Sequence, residues 1–166
     1  HTLVAMVEAG YSPVVYDNLS NGSPMAIERV ESIVGQDIPF VQGDILDTEL
    51  LRQVFSDYSF SAVIHFAGLK AVGESVAMPL QYYQNNVEGT ANLLRVMAEF
   101  NVKQFVFSSS ATVYGDPESL PLTESSQVGG TTNPYGTSKY MVERILQDLY
   151  ASDNDWNIGM RCLHSA

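Results

Sequence analysis

Short apolar runs alternate with segments of helical periodicity along the whole chain. The runs predict strands at residues 13–17, 38–42, 62–66, 104–107 and 156–161. Between them, apolar side chains recur every three or four residues, the spacing of a helix with one buried face. Strands that are apolar throughout are typical of a parallel sheet that helices cover on both faces. The pattern therefore predicts an α/β fold with a doubly wound parallel sheet.

Several residues predict where the helices begin and end. Residues 1–10 have the pattern of the second half of a helix that ends at Gly10, and residues 24–34 start on a proline, which suits a first turn. Asp47 is a predicted N-cap, and Asn133-Pro134 begins a later helix. Pro79 opens the helix predicted to be longest, whose apolar face is predicted to carry Tyr83, Val87, Thr90, Leu94 and Met97.

Polar or small residues follow four of the predicted strands. Ligands of doubly wound sheets bind beyond the carboxyl ends of the strands. We therefore expect one edge of the sheet to bring together Asp17, Asp44, residues 66–70 and residues 108–110.

Two acids end neighbouring predicted strands. Asp17 could accept both hydroxyls of an adenosine ribose, and its charge would repel the 2′-phosphate of NADP. Asp44 could accept the amine of adenine, with the Ile45 backbone beside it. Taken alone, each acid is better explained by a turn or a helix entry. The two together favour a nucleotide site.

Tyr135 and Lys139 stand four residues apart, which places them on the same face of a helix. A free tyrosine has a pKa of about 10, and a nearby cation lowers it. Tyr135 could then act as a general base, with the Ser110 hydroxyl relaying the proton. The alternative is an ordinary helix with an exposed lysine. We interpret His65 as a core histidine with a backbone partner, and Tyr82, Tyr83 and Tyr140 as packing residues.

Composition narrows the classes of partner. The chain has a formal net charge of −11, which argues against nucleic acid or an anionic membrane surface. No stretch is apolar enough to span a membrane, and no residue spacing suggests a metal site. One cysteine, Cys162, allows no internal disulfide. With no signal-peptide pattern at the start, we expect a cytoplasmic protein.

Three motifs carry a resemblance to a known family. They are HFAGLKAVGESV at residues 65–76, FSSSATVYGD at residues 107–116 and NPYGTSK at residues 133–139. In these segments the chain resembles the bacterial UDP-glucose 4-epimerases, which are extended short-chain dehydrogenase/reductases. The resemblance extends from His1 to about Arg161.

The resemblance implies a set of site residues and a cofactor, NAD. The adenosine ribose would be held by Asp17, Asn18 and Asn21, and the adenine flanked by Asp44 and Ile45. The pyrophosphate and ribose side would be lined by Phe66, Ala67, Gly68 and Lys70. The nicotinamide and hexose would meet Asn85, Ser110, Tyr135 and Lys139.

The implied reaction is NAD-dependent epimerisation at hexose C4, which interconverts UDP-glucose and UDP-galactose in galactose metabolism. Tyr135 takes the C4 hydroxyl proton, hydride passes to NAD, the keto sugar rotates, and hydride returns to the other face. Two alternatives stay open: an epimerase of UDP-N-acetylhexosamines, and a catalytically dead nucleotide-binding fragment. The resemblance also implies a homodimer formed through the two middle helices.

The chain departs from the family pattern at both ends. The family begins with a strand and a glycine-rich turn that seats the pyrophosphate on a helix N-terminus, and neither precedes His1. We therefore expect residues 1–161 to be a partial NAD-binding domain that lacks its first strand, and this fragment to be inactive alone. Residues 162–166 diverge from the family, and we expect the C-terminal substrate domain to be absent.

Overall fold

The structure, a computed structural model, describes residues 1–117 and 120–162. Of the divergent tail, residues 163–166 lie outside the described part. The strands are β1 (Val15–Asp17), β2 (Phe40–Gln42), β3 (Val63–His65), β4 (Gln104–Ser109) and β5 (Asn157–Cys162). The helices are α1 (Thr2–Glu8), α2 (Pro24–Val34), α3 (Thr48–Asp57), α4 (Val72–Ala77), α5 (Pro79–Tyr83), α6 (Gly89–Glu99) and α7 (Pro134–Ser152). All strand pairings are parallel, which confirms the predicted fold class.

The strands form two separate sheets. β1 pairs with β2, and β3, β4 and β5 form a three-stranded sheet with β4 at its centre. Within the described ranges, β1 and β3 are not hydrogen-bonded to each other. Each therefore has one unpaired edge, as expected for a doubly wound sheet that lacks its central strand.

The predicted helix boundaries are confirmed by their capping contacts. The Asp47 carboxylate accepts a hydrogen bond from the Leu50 amide at 3.0 Å, and α3 follows it. The Asn133 side chain accepts from the Gly136 amide at 2.8 Å, and Pro134 takes the first position of α7. α1 is followed by Gly10 at a φ of +85°.

The hydrophobic core lies under the three-stranded sheet. It consists mainly of side chains from α3, α6, α7 and β4, including Phe105, Phe107 and Leu146. By contrast, no residue of α1 or α2 is fully buried, and Ile33 is 68% exposed. The side chains of α1 and α2, beside β1 and β2, are thus less buried than those of the helices that pack on the three-stranded sheet.

The helix predicted from Pro79 differs in its first half. Residues 79–99 are helical throughout, but residues 84–88 form a π turn between α5 and α6. A π turn accommodates one extra residue and rotates the chain before it relative to the chain after it. Thr90, Leu94 and Met97 are buried as predicted, whereas Tyr83 and Val87 are only partly buried. Tyr82 and Asn86 take the inward positions instead.

Two short elements lie outside the predicted helices and strands. α4 follows the glycine loop after β3, and a 3₁₀ turn, Ala111–Tyr114, follows β4. Neither is long enough to show a clear helical period.

The two unpaired edges generate a prediction about stability. A strand and turn added ahead of residue 1, about fifteen residues, can pair with both β1 and β3 through the usual right-handed crossover into α1. We expect this addition to give a cooperative thermal melt by circular dichroism. The 166-residue chain alone should aggregate or unfold without cooperativity, because its edges leave backbone groups unpaired. A cooperative melt of the chain alone would contradict this.

Candidate functional site

The tips of β1 and β2 are joined by side-chain hydrogen bonds. The Asn18 amide donates to Asp44 Oδ2 at 2.8 Å, and the Tyr16 hydroxyl donates to the Asp44 carbonyl oxygen at 2.8 Å. Burial, with the nearby carboxylates of Asp47 and Asp44, raises the pKa of Tyr16 to about 12. The phenol therefore stays protonated as a donor. The structure thus brings the two predicted acid positions side by side.

Asp17 keeps one carboxylate oxygen available. Its Oδ1 accepts from the Leu19 amide at 2.7 Å, and Oδ2 has no hydrogen-bond partner among residues 1–117 and 120–162. The Asn18 side chain donates a hydrogen bond to Asp44 through its nitrogen and accepts one from the Ser20 amide through its oxygen. Asn21 is exposed, and Ile45 is buried against Gly89.

The loop after β3 passes close to α7. Phe66, Ala67 and Lys70 are exposed on this loop. Gly68 has a φ of +154°, and a Cβ there would lie 3.3 Å from Asn86 Oδ1 and 3.4 Å from Lys139 Nζ. A side chain at Gly68 would therefore meet both a strained backbone and crowded polar atoms.

One buried amide, that of Asn86, holds this loop to two helices. Asn86 Nδ2 donates to the Leu69 carbonyl at 2.9 Å and to Ser138 Oγ at 3.0 Å. Its Oδ1 accepts from the Leu69 amide at 2.8 Å and from Asn85 Nδ2 at 3.0 Å. An amide side chain has two donors and two acceptor positions, so all four are used. Ser138 Oγ in turn donates to the Tyr135 carbonyl at 2.7 Å.

Lys139 is a buried cation. Lys139 is 6% exposed, and its Nζ donates a hydrogen bond to the Ser108 carbonyl oxygen at 3.0 Å. Nζ also lies 4.7 Å from the centre of the Phe107 ring. Burial lowers the pKa of Lys139 from 10.5 to about 8. This environment contradicts the alternative of an exposed surface lysine.

His65 is confirmed as a core histidine, but its partner is a side chain. Its Nε2 lies 2.9 Å from Thr90 Oγ1, and that hydroxyl donates to the Asn86 carbonyl at 2.6 Å. Because the Thr90 proton is used, His65 must be the donor through Nε2–H. Burial, and to a lesser degree the Lys139 charge, lowers the pKa of His65 to about 3. The expected backbone partner was wrong, and His65 is neutral at physiological pH.

The Ser110 turn packs against the start of α7. A Cβ on Gly136 would lie 3.0 Å from the Thr112 carbonyl oxygen, so the glycine permits this close approach. Ser110 Oγ accepts from the Thr112 amide at 3.3 Å and from Thr112 Oγ1 at 3.0 Å. Both contacts are to the oxygen. The Ser110 proton therefore has no acceptor in the described part of the chain.

Tyr135 lies in the first turn of α7, partly buried beside this turn. Its hydroxyl makes no hydrogen bond to any described residue. The turn that carries Tyr135 is followed one turn later by buried Lys139. The structure therefore gathers Gly68, Lys139, the Ser110 turn and the Tyr135 turn at the carboxyl ends of β3 and β4.

Sequence reasoning missed Asn86 and the hydroxyl of Tyr82. Tyr82 is fully buried, as a packing residue would be, but its hydroxyl also bonds to Ala71 and Glu74. Two adjacent asparagines inside an otherwise apolar helix were the available signal for Asn86. Asn86 also stands four, seven and eleven residues before Thr90, Leu93 and Met97, so an α-helical period places it on the buried face, where its amide needs partners.

The described residues contain neither a candidate metal cluster nor a membrane-spanning helix. No group of three or more His, Cys, Asp or Glu residues there is arranged to hold a metal ion. Among the helices of those same ranges, none combines the length and the apolar character that crossing a membrane requires.

Known proteins resemble this chain along almost its whole length. The profile of the NAD dependent epimerase/dehydratase family matches residues 1–164. The UDP-glucose 4-epimerase of Pasteurella multocida is 56% identical over 158 residues, which are 95% of this chain and 47% of that protein.

Solved structures of UDP-sugar 4-epimerases also superpose on this chain. UDP-glucose 4-epimerase from Bifidobacterium longum, in complex with NAD⁺ and UDP, superposes with a TM-score of 0.95 at 51% identity. The superposed region is 96% of this chain and 48% of the Bifidobacterium longum chain. The UDP-Glc/GlcNAc 4-epimerase of Campylobacter jejuni superposes with a TM-score of 0.90 at 34% identity. The superposed region is 96% of this chain and 48% of the Campylobacter jejuni chain.

The chain spans about half the length of the curated relatives it matches. Within that half, the parallel α/β fold, the family profile and the superposed structures agree. The chain belongs to the NAD dependent epimerase/dehydratase family.

Proposed function

We propose that this chain is the NAD-binding part of a UDP-glucose 4-epimerase. The observation that carries the proposal is the buried ammonium of Lys139, one turn after Tyr135 and beside Gly68. Relatives at 56% identity are UDP-glucose 4-epimerases, and the superposed Bifidobacterium longum enzyme holds NAD⁺ and UDP. Residues 1–161 would form this part, and the UDP-hexose would be gripped largely by a further domain.

The residues present fit the cofactor. Asp17 has an oxygen free for a ribose hydroxyl, and the edge formed with Asp44 suits an adenosine. The loop at Phe66, Ala67, Gly68 and Lys70 offers exposed groups and a glycine for close approach. Lys139 uses one of its three N–H donors on Ser108, which leaves two for the nicotinamide ribose. Asn21, Ile45 and Asn85 would complete the contacts.

The proposed chemistry assigns a proton step to this chain. When bound, NAD accepts the hydride from hexose C4 and returns it. Tyr135, with no competing hydrogen-bond partner among the described residues, takes the C4 hydroxyl proton. Ser110 has a free proton and donates to the same oxygen. Lys139 supplies the positive charge that favours the tyrosinate.

A second substrate class has one observation in its favour. The Campylobacter jejuni relative is a UDP-Glc/GlcNAc 4-epimerase. An epimerase of UDP-N-acetylhexosamines uses the same Tyr135, Ser110 and Lys139. A catalytically dead nucleotide-binding fragment remains the third candidate, since the chain spans about half of its relatives. We also propose a cytoplasmic location, on the basis of the single cysteine.

Activity is tested in an extended protein. Here residues 1–161 of this chain replace the matching segment of the Pasteurella multocida epimerase, to which the chain is 56% identical. The extended protein supplies the remaining half of the relatives' length. Turnover of UDP-glucose and of UDP-N-acetylglucosamine is compared directly.

Tyr135→Phe in the extended protein should lower kcat by about 100-fold or more while NAD stays bound. Phenylalanine keeps the ring and loses the ionisable hydroxyl, and a general base contributes on this scale. Steady-state epimerisation assays measure kcat, and calorimetry measures NAD affinity. Tyr140→Phe, on the same helix, is the matched control and should turn over normally. Near-normal turnover of Tyr135→Phe would refute the assignment.

Asp17→Ala in the extended protein should weaken NAD about tenfold or more and reduce the preference for NAD over NADP. The substitution removes a charged hydrogen-bond acceptor and the repulsion of the 2′-phosphate. Calorimetric titration with both cofactors checks this. Asp37→Ala removes an exposed acid at the opposite end of β2 and serves as the control. Equal affinity of the unsubstituted protein for NAD and NADP would rule the role out.

We further propose a homodimer that forms through the helical segment 79–99 and α7. A shallow apolar groove there is lined by Leu80, Val87, Ala91, Arg95 and Met141. Leu80 is 81% exposed and Met141 is 45% exposed. Met141→Glu should convert the extended protein to a monomer in analytical ultracentrifugation, because a charged side chain that must lose its water then replaces an apolar one in the interface. Ile33→Glu on α2 is the control; a dimer that survives Met141→Glu contradicts the proposal.

A further inference from the structure

Tyr82 has no exposed surface, yet it ends in a polar group. Its hydroxyl lies 2.6 Å from Glu74 Oε2 and 2.9 Å from the Ala71 carbonyl oxygen, both of which can accept its proton. The same oxygen accepts from the Ala71 amide at 3.0 Å. The phenol of Tyr82 thus joins α5 to Ala71, the residue just before α4, and to Glu74 in the first turn of α4.

These contacts extend the fixation of the cofactor loop. Asn86 fixes both backbone groups of Leu69, and Tyr82 fixes both backbone groups of Ala71. Lys70 lies between the two anchored residues. Two buried side chains on one helical segment therefore set the path of the loop that follows β3.

The ring of Tyr82 makes a second contact. Its centre lies 6.5 Å from the centre of the Tyr135 ring, and the two planes are inclined by 80°, an edge-to-face arrangement. The Tyr135 hydroxyl has no hydrogen bond to a described residue that would fix its direction. The orientation of the Tyr135 ring is therefore set by packing, and Tyr82 is its aromatic neighbour.

The phenol of Tyr82 also stays neutral. Burial and the hydrogen bond to Glu74 raise its pKa to about 12. Tyr82 consequently remains a hydrogen-bond donor at neutral pH and does not compete with Tyr135 for a substrate proton.

We propose that Tyr82 is a positioning residue with two separable roles: its hydroxyl fixes the cofactor loop at Ala71, and its ring orients Tyr135. The kinetic part rests on the proposed function, since it requires Tyr135 to be the base. The part that concerns Ala71 does not.

The two roles are separated by two kinds of variant of the extended protein. Tyr82→Phe keeps the ring and removes the hydroxyl, whereas Tyr82→Leu removes both. Tyr82→Met replaces Tyr82→Leu if the latter does not fold, because unbranched methionine fills irregular gaps. Tyr83→Phe removes the neighbouring hydroxyl and is the matched control. Amide exchange by NMR, NAD affinity, kcat and KM are measured for each.

In Tyr82→Phe we expect the Ala71 amide to exchange at least about tenfold faster and NAD to bind several-fold more weakly, because that amide loses its acceptor. Its kcat should stay within about threefold of the unsubstituted value. In Tyr82→Leu we expect kcat to fall a further tenfold or so, with KM for UDP-glucose within about twofold, because a misdirected base slows only the chemical step.

Two results would overturn the proposal. Unchanged Ala71 exchange in Tyr82→Phe removes the role of the hydroxyl, and unchanged kcat in a folded ring-deleted variant removes the role of the ring. An extended protein that folds but never epimerises refutes the proposed function and the kinetic role together. The Ala71 exchange rate still decides the role of the hydroxyl in that case.

Discussion

The amide of Asn86 is the contact on which the arrangement of the site depends. Its four hydrogen bonds join the loop after β3, the helical segment 79–99 and Ser138 of α7. Both donors and both acceptor positions of this amide are used, so each of its contacts helps to fix how the elements meet. Replacing it would remove the partner of both backbone groups of Leu69 and one of the two hydrogen bonds of the Ser138 hydroxyl, which is costly.

Asn86 reaches this contact because it lies on the buried stripe of the helical segment. Tyr82, Asn86, Thr90, Leu93 and Met97 recur every three or four residues and face inward, whereas Leu80 is exposed and Val87 is only partly buried. The Gly68 loop then comes close enough to bury Lys139 without a salt bridge to a described residue. This burial lowers the pKa of Lys139 to about 8. The helical segment also contains a π turn at residues 84–88, a feature that is frequent at functional sites.

Much of this fold was predictable from local chemistry. The Asp47 and Asn133 caps, the prolines at 24 and 134, and the apolar strands ending at Asp17 and His65 are each specified by a few neighbouring residues. The spacing of Tyr135 and Lys139 also predicted their shared helix. The burial of Lys139 and the partner of His65 were not predictable, because they depend on contacts between distant segments. The inward position of Asn86 follows from its helical spacing to Thr90, but the loop that its amide binds does not.

The central claim is that the edge running from Asp17 to Tyr135 binds NAD, with Lys139 at the nicotinamide end. A crystal structure of the extended protein with NAD and UDP-glucose tests this most directly. The account predicts Asp17 on the adenosine ribose, Lys139 Nζ within hydrogen-bond distance of the nicotinamide ribose, and the Tyr135 hydroxyl at the C4 oxygen of the hexose. A cofactor bound elsewhere, or a Lys139 ammonium still bonded only to Ser108 in that complex, would contradict it.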